Sequence, residues 1–316
     1  MQRRGKTATE RQSWFCPSCR KSSVRKSPST LERHRKKLFV RWLCGNATLA
    51  ELAREHRTSL KTLRRYFEPF WKQQPIPHLP QSLEGQSLIV DAVSLEPRCL
   101  MALIGRTRRR VVQWTFAERE SFESWSYFYS RLPAPSAMVC DGRKGLLLAS
   151  RARWTNVKIQ RCLIHVVRQA NLWITQRPKT LEGQDLRILV RGILSIRTRR
   201  QKRRWIRQWR HWHRKYRKFL NERSYGDPIH GKRSWWYTHR KLRAVRSLIR
   251  NSLPDLFTFV GHPEIPRTSN HVEGGINSRL KELLHRHRGL SLEKKRVLTA
   301  HFLHQKQIQK PPRNVH

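Results

Sequence analysis

Three acidic residues draw attention in a chain that is otherwise overwhelmingly basic: Asp91, Asp141 and Glu273. The sequence carries 68 Lys and Arg against 21 Asp and Glu, a net charge of +47 over 316 residues. A protein that needs only positive charge has little reason to place carboxylates at the ends of apolar runs. Yet Asp91 sits inside Ser87-Leu-Ile-Val-Asp-Ala-Val-Ser-Leu95, and Asp141 ends Ala137-Met-Val-Cys-Asp before Gly142. Glu273 follows Arg267-Thr-Ser-Asn-His-Val and precedes two glycines. Carboxylates gathered in one pocket repel each other unless hard cations neutralise them, and Mg²⁺ and Mn²⁺ favour such oxygen ligands. Two such ions could activate a water or 3′-hydroxyl, stabilise a leaving oxygen and neutralise the phosphate between them. Taken singly, each Asp reads more readily as a turn or cap residue; the set of three carries the inference.

The elements needed to gather these acids are legible as short patterns. The run around Asp91 suits a buried strand, and apolar runs at 101–104 and 111–116 complete a three-stranded meander. A helix rich in aromatics is expected from about Phe122 to Arg131, then a strand ending at Asp141, a helical Leu146-Leu-Leu-Ala149, a strand at 157–160 and a helix from Cys162 to Ala170. Strands alternating with helices predict an α/β core whose strand ends converge on one rim. In the last helix Asn270 can act as cap with Glu273 three residues on. Val272, Ile276, Leu280 and Leu283 form its buried stripe, and Glu273, Asn277 and Lys281 share an adjacent face. Gly274 and Gly275 cost on the order of 2 kcal/mol relative to alanine, so something is expected to approach the backbone closely there.

Other segments speak to partners. Residues 1–35 are basic and contain Cys16-Pro-Ser-Cys19, two of the four ligands a structural zinc site needs; a distant group such as His34 could complete it. Residues 36–74 read as a helix-turn-helix domain: Thr48 and Glu51 have capping-box spacing, Leu49, Leu52 and Ala53 face inward from the first helix, and Leu60, Leu63 and Phe67 from the second. That second helix would offer Lys61, Arg64 and Arg65 to DNA, although a plain helical hairpin fits the same pattern. Pro75, Pro77 and Pro80 mark a linker. Residues 176–262 read as a basic helical insertion in which Trp205, Trp209 and Trp212 recur at helical spacing. These rings, or Trp235 and Trp236, are either core or platforms for base stacking. The charge predicts a polyanionic partner, no apolar run of about 18 residues predicts a membrane span, and six cysteines without a disulfide framework suggest a reducing compartment; together these point to a cytoplasmic protein associated with the nucleoid.

The order and context of these motifs resemble the Mutator-type family of insertion-sequence transposases. The matching pieces are the strand with Asp91, Met138-Val-Cys-Asp141-Gly, Arg161-Cys-Leu-Ile-His165, Thr268-Ser-Asn-His-Val-Glu273-Gly-Gly-Ile-Asn277 and His287-Arg-Gly-Leu290. They span about residues 85–295. The resemblance implies a DDE transposase with a ribonuclease H-like catalytic core in two parts, 84–175 and 263–305, interrupted by the helical insertion and followed by a basic tail at 306–316. It further implies two Mg²⁺ or Mn²⁺ ions on Asp91, Asp141 and Glu273, with Cys162, His165, Asn270, Asn277 and Lys281 supporting the site. Transposon ends and target DNA would be held by Lys61, Arg64, Arg65, Trp205, Trp209, Arg279 and Arg288, and cutting two ends calls for at least a dimer. The chain departs from relatives that have a full zinc ribbon, since it shows one Cys pair. The competing readings are a helix-turn-helix DNA binder without chemistry, an inactive transposase remnant, and a simple nuclease of the same fold.

Overall fold

Three hydroxyl caps start the helices of the amino-terminal unit, residues 1–75. The computed structural model describes residues 1–24, 27–97, 99–229 and 232–308, with backbone alone at 228, 229, 232, 233, 271 and 273. Strands β1 (Gln2–Lys6), β2 (Gln12–Phe15) and β3 (Ser22–Val24) pair antiparallel in that order. Ser27 then accepts a hydrogen bond from Thr30 N and opens α1 (Pro28–Cys44), with Pro28 in the first turn, where its missing N–H costs nothing. Thr48 and Glu51 form the expected reciprocal capping box on α2 (Leu49–Glu55), with bonds of 3.2 and 2.7 Å, and Ser59 caps α3 (Leu60–Trp71). Leu38, Phe39, Leu43, Leu52, Leu63, Phe67 and Phe70 form the core of this unit. Leu60, expected on the apolar face, is instead exposed, because it begins α3 before the helix has turned inward.

The second unit, residues 76–316, is built on a five-stranded mixed sheet. Its strands are β4 (Leu83–Glu96), β5 (Leu100–Arg106), β6 (Val111–Ala117), β7 (Pro135–Cys140) and β8 (Lys158–Arg161). They lie in the order β6-β5-β4-β7-β8. The first three form the antiparallel meander expected from their close spacing, while β7 and β8 add in parallel. Parallel neighbours need a crossover; α4 (Phe122–Ser130) and α5 (Lys144–Arg153) supply it. Along the central strands the side chains alternate between two cores. Leu88, Val90, Met138 and Cys140 pack with Trp125, Phe128 and Tyr129 of α4, while Ile89 and Val139 pack beneath α6 (Leu163–Ile174).

After α6 come α7 (Leu181–Gly192), α8 (Arg199–Lys215), α9 (Arg217–Leu220), a hairpin of β9 (Arg223–Ile229) and β10 (Lys232–Tyr237), and α10 (Arg240–Leu256). The hairpin is a departure from the wholly helical stretch expected here. Tyr225, Trp235, Trp236 and Tyr237 are aromatic residues that favour extended backbone, and Gly226, Asp227 and Pro228 break helical periodicity. The stretch is tied back to the sheet at its end: Gln160 Nε2 donates to Leu256 O at 2.9 Å and Thr258 Oγ1 to Ile159 O at 2.6 Å. The chain closes with α11 (Asn270–Val272), a π turn at Glu273–Asn277, α12 (Ser278–Arg286) and α13 (Leu292–Ile308). Most of the expected basic tail, 309–316, lies outside the described residues. Among the described residues no helix is long and apolar enough to cross a membrane.

Candidate functional site

Strand register brings two of the three acids together. In the parallel β4–β7 ladder Ile89 pairs with Val139; two residues further along each chain stand Asp91 and Asp141. Side chains alternate with a period of two, so both carboxylates leave the sheet on the same side as Ile89 and Val139. They line one cavity of about 570 Å³ together with Glu120, Arg143, Arg161, His165, Gln169, Asn277 and Lys281. Asp91 Oδ2 accepts a hydrogen bond of 2.7 Å from Asn277 Nδ2, which joins β4 to a residue 186 positions away. Asp91 Oδ1 accepts from the Ala92 N–H at 3.0 Å. Asp141 accepts from Arg143 twice, at Oδ1 from the backbone N–H (3.0 Å) and at Oδ2 from Nε (3.1 Å).

Gly142 fixes the turn behind Asp141. Its φ of +85° is one that side-chain-bearing residues rarely adopt, and a Cβ built there would lie 2.0 Å from Arg161 Nε. Arg161 Nη2 in turn donates to the Asp141 carbonyl at 3.1 Å. Gly142→Ala is therefore expected to lower stability by about 1–3 kcal/mol and to displace Arg161, measured as a drop in melting temperature. An unchanged melting curve would show that the turn relaxes freely.

The third acid is placed in part. Glu273 opens the π turn, a widened helical turn of the kind that recurs at functional sites, but its side chain lies outside the described residues. The close approach anticipated at the glycine pair is found at Gly275, where a Cβ would meet Arg106 Nη1 at 3.3 Å, whereas the space at Gly274 is open. Val272, Ile276, Leu280 and Leu283 are buried as expected. Asn270 is exposed and forms the first residue of α11.

The Cys162 and His165 pair fastens the start of α6 to the segment before α11. Ser269 N donates to Cys162 Sγ at 3.3 Å, Ser269 Oγ lies 3.4 Å from His165 Nδ1, and Leu163 N donates to Arg267 O at 3.1 Å. Burial works to raise the Cys162 thiol, but hydrogen bonds involving His165 and Ser269 outweigh it and leave the pKa below its ordinary value. Cys162 is fully buried, whereas His165 reaches the cavity.

Elsewhere the expected residues separate. Lys61, Arg64 and Arg65 are exposed on α3, and Arg279 and Arg288 are exposed beyond the π turn. Cys16 and Cys19 flank the β2–β3 turn, half-buried and exposed, and no cluster of three His, Cys, Asp or Glu suited to a metal occurs among the described residues. Trp205 and Trp209 require a correction as DNA contacts. They are 4% and 5% exposed in the core beneath α6, because the helical spacing that suggested a platform turns both rings inward with Trp212. Glu120, Arg143 and Arg161 were not anticipated. The one available signal was local: Glu118, Glu120 and Glu123 place three acids within six residues of an acid-poor chain.

Residues 100–225 match the model of the family described as transposase, Mutator family. Over that stretch the chain is similar to transposases of the Mutator family. A protein of Corynebacterium diphtheriae named a probable transposase for an insertion sequence element is 40% identical over 48 residues. That alignment covers 15% of this chain and 14% of the relative's length. The Mutator match takes in Glu120, Asp141, Arg143, Cys162 and His165, while Asp91 and Asn277 join them through the fold.

Proposed function

We propose that the chain is a DDE-type transposase with a ribonuclease H-like core, which cuts DNA at insertion-sequence ends and joins the freed 3′-hydroxyl to target DNA. Asp91, Asp141 and Glu273 are its metal-binding acids in this reading. The observation that carries it is the meeting of Asp91 and Asp141 at one cavity, on neighbouring parallel strands of a β6-β5-β4-β7-β8 sheet, with Asn277 of the π turn bonded to Asp91. The family match supports the reaction class.

The donor chemistry suits a hard divalent cation: Asp91 and Asp141 offer carboxylate oxygens, and the guanidinium already beside Asp141 shows that positive charge is favourable there. When bound, such ions supply charge neutralisation at the phosphate and activate the attacking oxygen. The chain's own residues do the positioning. Asn277 fixes the Asp91 carboxylate, Arg161 and Gly142 fix the Asp141 turn, and Lys281 adds a cation at the cavity wall for a DNA phosphate. The deciding assay is metal-dependent nicking of supercoiled plasmid, followed by strand transfer with pre-cut ends. Nicking with joining supports the transposase, nicking alone a nuclease, and binding with neither a DNA-binding protein or an inactive remnant. Two ends cut in one event call for at least a dimer, which sedimentation of the DNA complex would reveal.

We read α2 and α3 as the helix-turn-helix, with Lys61, Arg64 and Arg65 on phosphates. Changing all three to Ala is expected to reduce the slope of log affinity against log salt by about three, roughly one for each phosphate that is no longer neutralised. An unchanged slope would remove α3 from the interface.

A further inference from the structure

Arg143, in the cavity lined by Asp91 and Asp141, has most of its hydrogen-bonding capacity unused. It stands at the start of α5, with Nε 3.1 Å from Asp141 Oδ2 and 3.2 Å from Glu120 Oε2. Glu120 is firmly held. Its side chain is 6% exposed, and Oε1 accepts from Trp125 Nε1 at 3.1 Å. The two helix starts meet through Gly145, where a Cβ would come within 3.0 Å of Phe122 N. Burial raises the pKa of Glu120 while the Arg143 charge opposes the rise, so the two groups need each other. Arg143 itself is 65% exposed. Among the described residues Nη1 and Nη2 make no hydrogen bond.

A guanidinium carries five N–H donors in a planar fork that matches a phosphate in bidentate fashion. Nε uses one on Asp141 Oδ2, with Glu120 paired to it by charge at 3.2 Å, which leaves four for a ligand. Asp141 is also where the proposed reaction places a divalent cation, and a cation there would compete with Nε for the same oxygen. Glu120 lies outside that competition and would keep Arg143 in place.

We infer that Arg143 is a phosphate-binding fork of this site, that Glu120 positions it, and that Arg143 balances the Asp141 charge until a divalent cation does so and a DNA phosphate engages the fork. The inference rests on the reading that the cavity acts on a phosphodiester. Arg143 would be a catalytic residue, since it touches the phosphate; Glu120 would act through it.

The test titrates full-length protein with Mn²⁺, followed by electron paramagnetic resonance, and measures plasmid nicking at saturating Mn²⁺. Arg143→Gln is expected to tighten Mn²⁺ binding up to about fivefold by removing an exposed competing charge, yet to lower nicking about a hundredfold by removing the fork. Arg143→Lys should keep Mn²⁺ affinity near the parent value but recover little nicking, because an ammonium is a point charge and not a fork. Glu120→Gln keeps an oxygen for Trp125 but frees Arg143 to settle on Asp141. It should weaken Mn²⁺ binding about threefold and lower nicking about tenfold. A purely structural role would not move Mn²⁺ affinity in opposite directions in the two variants. Nicking by Arg143→Gln within threefold of the parent, or Mn²⁺ shifts of the same sign, would overturn the inference. A parent protein that does not nick overturns the cleavage reading instead, and the Mn²⁺ shifts then judge the Arg143–Glu120 couple alone: opposite signs support it, and their absence ends it.

Discussion

Asp141→Asn is expected to lower metal-dependent nicking by about a thousandfold, close to 4 kcal/mol of transition-state stabilisation, while leaving DNA binding and melting temperature near those of the parent. The substitution preserves shape and keeps an oxygen to accept from the Arg143 N–H, which normally meets Oδ1 at 3.0 Å. What it removes is the charge that would hold a divalent ion. Asp91→Asn is expected to behave alike, because Asn277 Nδ2 can still donate to the remaining oxygen of residue 91. Single-turnover nicking at saturating protein reads the chemical step, and a filter-binding titration in parallel reads DNA affinity. Should either variant cut within tenfold of the parent rate, that carboxylate does not belong to the catalytic set, and register alone explains its place at the cavity.

Trp209→Ala is expected to have the largest effect on stability. The ring is stacked between Trp205 and Trp212, at centroid distances of 6.3 and 5.3 Å, and is 5% exposed. Its neighbours are locked by their indole N–H groups, Trp205 to Leu189 O at 2.8 Å and Trp212 to Glu182 O at 3.0 Å, so the surroundings cannot collapse easily into the space left. Truncation of a buried aromatic costs about 3–5 kcal/mol, which for a unit of this size lowers the melting temperature by roughly 10 °C. DNA affinity of the folded protein should change little. A ring that stacks on a base behaves in the opposite way, losing about 1–3 kcal/mol of affinity with little change in stability. Trp235 is the residue for that contrast: it is exposed on β10, pairs with Tyr225 across the hairpin, and has Arg223 over its ring at 4.1 Å. If Trp209→Ala melted like the parent but bound DNA tenfold more weakly, the core assignment of α8 would be wrong.

The patterns that could be read in advance were those in which neighbours in sequence are neighbours in space. The capping box at Thr48 and Glu51, the meander of β4, β5 and β6, and the inward stripe of Val272, Ile276, Leu280 and Leu283 all depend on local spacing, and all are present. The Trp205, Trp209 and Trp212 repeat shows where local spacing falls short. Periodicity reveals that three rings share one face of a helix, but a face that meets DNA and a face that meets α6 have the same period. The hairpin of β9 and β10 was missed because it lies between two strongly basic helices, α8 and α10, and reads as one stretch with them despite Gly226, Asp227 and Pro228.

By itself the sequence determined that the chain is an α/β protein of extreme positive charge, with Asp91 inside one apolar strand, Asp141 at the end of another, and motifs that resemble those of the Mutator family. Those features reside in composition and in short-range order. Only the tertiary structure decided which distant groups share the cavity: parallel pairing sets Asp91 beside Asp141, the π turn brings Asn277 onto Asp91, and the packing of α4 on α5 delivers Glu120 and Arg143. The reason is that such contacts are fixed by strand register and helix packing, which follow from how the whole core closes and leave no mark in the spacing of the residues themselves.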